Sequence, residues 1–495
     1  MPLPRPRLAV FRVLVPGIMV LAPVAAEEPE RVVHEAFDAD PGWDGFRNRL
    51  LPDRLPAVRQ DFGLRPTNLA RGNAPGEIGG TVQRSTTPAR FARPIAEKTM
   101  NERLSASGKL AVPRADASSG IMLGWFHGSS RGWRTTSSVA MRLDGNGGKF
   151  WVFYEYGTRS GLTGGAGAFE GDRYQTTPTV PFRADGKVHE WSLDYEPDAA
   201  GGDGVLAFRI DDRKYEVPVP AEHKKDGATF DRFGIWNVEI HGEPMDAYFD
   251  DLVVDGRPLQ CEAAEGWTGE GNDASFEERV IRPRHHYGFS PTSFAGGKPG
   301  EIGELVFRDE KPSYYAADVG KLSLEEPLRA SGRVVLRAAA ADSAVCLGWF
   351  DGKSKREKET SELQAPQPNW LGVIVEGPSR VGHYFRAAYS TARGSAQSPC
   401  EDPRTGAERP VIRPDGQVHR WSIEYAPDAA GGGGRITVKF DESTHTLDVK
   451  PEHRAEGAGF DRFGLFNLQA GGHHVDFYID DLAYTSGRAQ QREER

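Results

Sequence analysis

The chain has 495 residues and a formal net charge of −10, with 58 Gly, 35 Pro and three Cys. An acidic chain repels phosphate backbones, which argues against nucleic acid as a partner. Long periodic helical stretches are missing, and short runs of Val, Ile, Phe, Tyr and Trp alternate with polar residues between turn signals, the pattern of a sandwich or barrel.

Residues 1–26 read as a secretory signal: Arg5, Arg7 and Arg12 form a basic start, Val13 to Val24 is largely apolar, and Val24-Ala25-Ala26 offers small residues for cleavage. That apolar run is short and broken by Pro16 and Pro23, so no membrane span is expected after cleavage, and the mature protein is expected to be secreted or periplasmic. Removing this segment, which holds three Arg and no acid, takes the charge from −10 to −13.

The rest is an internal repeat. Phe37 to Trp43 lies over Cys261 to Trp267, and Pro75-Gly76-Glu77-Ile78-Gly79 over Pro299-Gly300-Glu301-Ile302-Gly303. Leu123-Gly124-Trp125-Phe126 recurs as Leu347-Gly348-Trp349-Phe350. After a middle of unequal length, Val188-His189-Glu190-Trp191-Ser192 matches Val418-His419-Arg420-Trp421-Ser422. Phe230-Asp231-Arg232-Phe233-Gly234 then matches Phe460-Asp461-Arg462-Phe463-Gly464, and Asp250-Asp251-Leu252 matches Asp480-Asp481-Leu482. These matches place one domain at 30–256, a second at 261–485 with almost no linker, and a disordered tail at 486–495.

Within each copy, His189, Trp191, Leu193 and Tyr195, like His419, Trp421, Ile423 and Tyr425, share one face of a strand, with polar residues opposite. This predicts a half-buried antiparallel strand, followed by a turn at Pro-Asp-Ala-Ala-Gly-Gly and a returning strand at Val205 to Ile210 or Arg435 to Phe440. Cys346 and Cys400 could pair in an oxidising compartment, although spacing alone does not decide it.

The Gly-Trp-Phe strand, the His-x-Trp-Ser strand with its hairpin, and Phe-Asp-Arg-Phe-Gly before an Asp-Asp-Leu closing strand resemble the concanavalin A-like lectin/glucanase superfamily, which includes laminin G-like domains. The likeness covers both repeats and is one of pattern, without a catalytic motif. It implies an all-β fold of two tandem jelly-roll β-sandwich domains, each of two antiparallel sheets with one concave. It also implies carbohydrate as a frequent ligand and glycoside hydrolysis as a frequent activity.

Glycoside hydrolysis needs two carboxyl groups at a set separation. Glu190, Asp194 and Glu196 share a face, but the second copy has Arg420, Glu424 and Ala426 there, as a solvated face would; no catalytic residue is assigned. Glu77 and Glu301 sit among small neighbours, as sugar-hydroxyl acceptors or as edge carboxylates that pair with Arg84 and Arg308 or cap a turn. Asp250 and Asp480 invite a calcium reading, although adjacent strand residues point to opposite faces unless a bulge intervenes. Trp133, Tyr154 and Tyr156 in the first copy, and Trp370 and Tyr384 in the second, cluster where the copies diverge; they either stack on pyranose rings or fill the core. Asn237 and Asn467 recur after Phe-Gly and are placed toward the groove. The first expectation is therefore a non-catalytic lectin-like protein that binds a poly- or oligosaccharide. The alternatives are a polysaccharide-active hydrolase and a surface adhesion protein.

Overall fold

The computed structural model describes residues 32–50, 54–166, 181–261, 263–281, 284–355, 367–377, 382–400 and 410–488. The predicted signal at 1–26 and residues 489–495 of the predicted tail lie outside them. Four antiparallel sheets pack in pairs as two jelly-roll sandwiches. In the first, a nine-stranded sheet runs in space from Arg213–Pro218 through Val188–Glu196, Leu104–Ala115 and Pro244–Val254 to Ala57–Arg65. It faces an eight-stranded sheet centred on Ser138–Gly145, Ser119–Phe126 and Thr229–Asn237. The second sandwich repeats this order with Val418–Ala426, Leu328–Ala339 and His474–Thr485 facing Trp370–Gly377, Ser343–Phe350 and Gly459–Asn467.

Alternation explains the layering. In Val188–Glu196, His189, Trp191, Leu193 and Tyr195 are buried while Glu190 is exposed, and Trp191, Leu193 and Tyr195 meet Leu123, Trp125 and Phe233 in one core. Such a strand leaves the polar side to water and joins an antiparallel sheet. The His at its start pairs with an Asp at the hairpin turn in both copies, His189 with Asp211 and His419 with Asp441, each at 2.7 Å.

The repeat boundaries read from the sequence do not coincide with the sandwiches. Val32–Glu35 pairs with His474–Thr485, and Asp44–Phe46 pairs with Tyr314–Ser323, so the first repeat's leading segment belongs to the second sandwich. Thr268–Glu270 pairs with Arg90–Thr99, and Asp273–Glu277 with Ala57–Arg65, so the second repeat's leading segment belongs to the first sandwich. The docking is equivalent on both sides. Trp267 stacks on Phe91 at 5.3 Å, while Trp43 packs at 5.8 Å from Tyr315 and 6.1 Å from Tyr484. Asn272 Nδ2 donates to Phe62 O and Asn48 Nδ2 to Tyr287 O, each at 2.6 Å. Self-comparison detects that residues 37–43 and 261–267 are alike, but it cannot say on which copy each one lies.

One further expectation is corrected, and one open question is answered. Residues 486–488, placed in the tail, are held by the second sandwich: Ser486 is buried, Gly487 N donates to Val319 O at 2.8 Å, and Arg488 pairs with Asp318 at 3.0 Å. Cys346 and Cys400 form no disulfide, and burial raises the Cys346 thiol well above its ordinary value.

Candidate functional site: a cleft between the sandwiches

Most residues singled out for sugar binding are interior. Glu77 is fully buried, and its carboxylate accepts from Thr67 Oγ1, from Leu69 N at 2.8 Å and from Ala70 N at 2.8 Å. Glu301 is held the same way by Thr292 Oγ1, Phe294 N and Ala295 N. These carboxylates pin the loop before their strand, and the loop donors already occupy the oxygens that a sugar hydroxyl would need. The expected pairing with Arg84 is absent, since Arg84 instead meets Asp144. Asn237 accepts from Ala89 N and donates to Ser85 O and Thr87 O. Asn467 repeats this with Ser313 N, Asp309 O and Lys311 O, so both amides staple a loop rather than face a groove.

The aromatics divide in the same way. Tyr154 is fully buried and stacks on Phe208 at 5.5 Å, and the Tyr156 hydroxyl lies 2.9 Å from His223 Nδ1 in the core. Trp370 is fully buried and packs edge-on against Phe466 at 5.4 Å. Tyr384 is half-buried beside the Arg386 guanidinium. The outer face of the first eight-stranded sheet is itself packed. In the first sandwich Met122, Phe126 and Trp236 lie under the Trp133 loop and against Ala340 of the second half, with Trp236 Nε1 donating to Thr135 Oγ1 at 2.9 Å.

Asp250 and Asp480 each accept the following residue's N–H at 2.7 Å. The bulge needed for two adjacent aspartates to converge is present, with Asp251 and Asp481 at φ near +50°. Their neighbours, however, are cationic: Lys109 Nζ is 2.7 Å from Asp251 and Arg333 Nε 2.9 Å from Asp481. An ammonium or guanidinium thus stands where calcium was expected, and among the described residues no three His, Cys, Asp or Glu side chains group to hold a metal. Burial pushes Asp480 up to about 6, with Asp481 and Glu301 adding to it.

Trp133 is the exception. It lines a cleft of about 590 Å³ between the two sandwiches. The first half contributes the loop after Ser119–Phe126, the turn after Lys149–Gly157 and the residues following Thr229–Asn237. The second contributes the ends of Leu328–Ala339, Val411–Ile412, His383–Ser390 and His474–Thr485. Arg413 Nη1 donates across the junction to Ser160 Oγ at 3.0 Å, and Ala340 packs in the Trp133 and Trp236 cluster. The site therefore exists only where the halves meet.

Among the described residues, five arginines line it: Arg131, Arg134, Arg159, Arg337 and Arg413. Two carboxyl groups accompany them, Glu239 and Asp415. Glu239 accepts from Gly132 N at 2.5 Å; burial pushes it up to about 7, against the pull of Gly132 N–H, Arg131 and Arg90. His383 is pushed down to about 3 by burial, helped by Arg134, and His474 to about 4 by burial, helped by His473. Both rings are therefore neutral at physiological pH. Ser343 Oγ donates to Ala340 O, so His383 Nε2, 2.8 Å from that Oγ, is the donor of its pair. Nδ1 is then an acceptor, and it has no hydrogen-bond partner among the described residues.

The cleft arginines escape a reading of the sequence because they come from four segments separated by up to 282 residues, Arg131 to Arg413. One usable signal is present. Asn237 and Asn467 recur, but two residues on the first copy has Glu239 and the second Gln469, so the carboxyl group is particular to one copy.

No family model matches the chain, and no curated protein matches it. Among solved structures, the chain is similar to domains LG4-5 of the mouse laminin alpha1 chain, at 12% identity, 86% coverage of this chain, 96% of that one and a TM-score of 0.25. It is also similar to the alginate lyase from Klebsiella pneumoniae, at 13%, 31%, 59% and 0.23 in the same order. A third is the binding domain of Botulinum Neurotoxin DC in complex with SialylT, at 8%, 88%, 94% and 0.23.

Proposed function

We propose that the protein is an exported, non-catalytic saccharide-binding protein that takes its ligand in the cleft between the sandwiches. The observation that carries this reading is the cleft itself. Its volume of about 590 Å³ falls in the range of small-ligand sites, and it combines an apolar wall with convergent polar groups. Ala338, Ala339, Pro88 and Pro414 supply surface for the C–H face of a sugar ring. The guanidinium groups, His383 and the carboxyl groups supply partners for its substituents. The resemblance of the sequence pattern to a lectin-containing superfamily agrees with this reading.

Glu239 favours a second reading. A partly buried carboxyl group poised near 7 has the value a general acid or base needs, so a polysaccharide-active enzyme is the alternative. The adhesion reading is the weaker one. The exposed large apolar residues among those described are Val32, Phe46, Leu69 and Val418, scattered singly rather than in a patch.

A glycan array probed with the mature chain, wild type and Trp133→Phe, tests the proposal. Binding to at least one oligosaccharide class, weakened by the substitution, is expected. A folded chain that binds none contradicts it. Shortening of a bound oligosaccharide, abolished by Glu239→Gln, would establish the enzymatic alternative.

A further inference from the structure

We infer that the cleft selects an anionic oligosaccharide, one bearing carboxylate or sulfate groups, and that Glu239 makes this binding pH-dependent. The inference rests on the saccharide reading and names its ligand class.

The first ground is charge. The chain carries −10 overall, yet among the described residues five arginines line its inter-sandwich cleft against two carboxyl groups, the Arg337 guanidinium lying over the Phe294 ring at 3.5 Å. An acidic protein that concentrates cations at one partly enclosed site attracts anions there and repels them elsewhere. The second ground is the balance of donors and acceptors. Guanidinium groups only donate, in planar forks; Arg131, Arg134 and Arg413 each give one nitrogen to the protein, at Ser130 O, Thr163 Oγ1 and Ser160 Oγ. Beside them the described lining offers two carboxyl groups, Glu239 and Asp415, and the hydroxyls of Thr86, Ser129, Thr136, Ser160 and Thr163. A neutral sugar's hydroxyls can use those acceptors, but they gain no charge pairing from the guanidinium groups. Carboxylate and sulfate oxygens only accept, and they match guanidinium forks in pairs.

The third ground is Glu239. The groups facing it are Gly132 N–H, Arg131, Arg90 and Glu270. Glu270 is itself engaged by Arg90 at 3.2 Å and Arg131 at 3.8 Å. Below about 7 the Glu239 carboxyl is neutral, so the cleft is at its most positive and this group can donate to a bound anion. Above that value it ionises and offsets one guanidinium. Affinity for an anion must therefore fall as pH rises from 6 to 8. The second copy carries Gln469 at the matching position, where it is buried and bonded to Gln367 at 2.7 Å, so Glu239→Gln is a substitution this fold already accommodates.

Titration calorimetry of the mature chain, with uronate, sulfated and neutral oligosaccharides of equal length at pH 6 and pH 8, decides the matter. Inorganic sulfate serves as a fourth probe. Uronate or sulfated oligomers should bind about tenfold or more tighter than neutral ones, and about fivefold tighter at pH 6 than at pH 8. Glu239→Gln should flatten the pH dependence. Arg159→Gln should weaken binding about tenfold while leaving the unfolding midpoint close to wild type. Neutral oligomers binding as tightly as charged ones would overturn the inference and leave the saccharide reading standing. Sulfate alone binding as tightly as the oligomers, or no binding by any probe to a folded chain, would remove both.

Discussion

Residues 261–272 reach the first sandwich directly from its long strand Pro244–Val254, whereas residues 37–48 reach the second sandwich from the opposite end of the chain. Both segments place a Trp on an aromatic ring and an Asn on a backbone carbonyl of the receiving sheet pair. The first sandwich is completed by the segment on its C-terminal side, and the second by the segment on the N-terminal side of the first. The chain is thereby closed on itself, and the sequence repeat and the folded unit are out of step by one segment. Loop closure does not penalise this arrangement much. Pairing Asp44 with Ala316 rather than Thr268 with Ala92 lengthens the closed loop by about half, which costs only about 0.4 kcal/mol. Side-chain docking outweighs that difference, because burying one Trp contributes several times as much.

The comparison can be broken most forcefully by removing residues 27–50 from the mature chain. The second sandwich then loses Phe37 from its core along with Trp43 and two paired strands, and should lose about 4 kcal/mol or more. Urea unfolding should show a separated, earlier transition for that half, with the first half unchanged. The two tryptophans sharpen the contrast. Trp267 is buried and Trp43 half-buried, so Trp267→Ala should cost about 3–4 kcal/mol and Trp43→Ala about 2 kcal/mol, read from denaturation midpoints. Asn48→Ala and Asn272→Ala remove matching hydrogen bonds and should each cost about 1–2 kcal/mol, equal within error. Unequal costs would mean that the two asparagine contacts are not equivalent.

The junction supplies a pH-dependent effect. Glu239 has an ordinary carboxyl value of 4.5 when unfolded and about 7 when folded, so the folded state holds this proton more tightly. The stability it contributes is full below about 4.5, is lost as pH rises to about 7, and is flat above. A melting temperature falling across that window in wild type, and falling less in Glu239→Gln, is the expected result.

Legibility in the sequence follows a physical division. The paired strands are legible because alternation at His189, Trp191, Leu193 and Tyr195 must place one side inward. Recurrence at Glu77 and Glu301, and at Asn237 and Asn467, suggests ligand contact in the sequence. In the fold it marks scaffold, since both copies need the same loops pinned by the same buried acceptors. The aromatic clusters mislead for a related reason: large rings at strand positions pack inward or under loops, and of those singled out only Trp133 reaches the cleft. The cleft arginines are illegible because no spacing rule connects Arg131 to Arg413 before the chain is folded.

Completion of each sandwich by the leading segment of the other repeat is tested most directly by expressing residues 54–281 and residues 30–256 separately and following their unfolding. A cooperative transition is expected for 54–281, which carries its closing strands, and a broad or absent one for 30–256, which lacks them. Cooperative unfolding of 30–256, with none for 54–281, would contradict this exchange of segments.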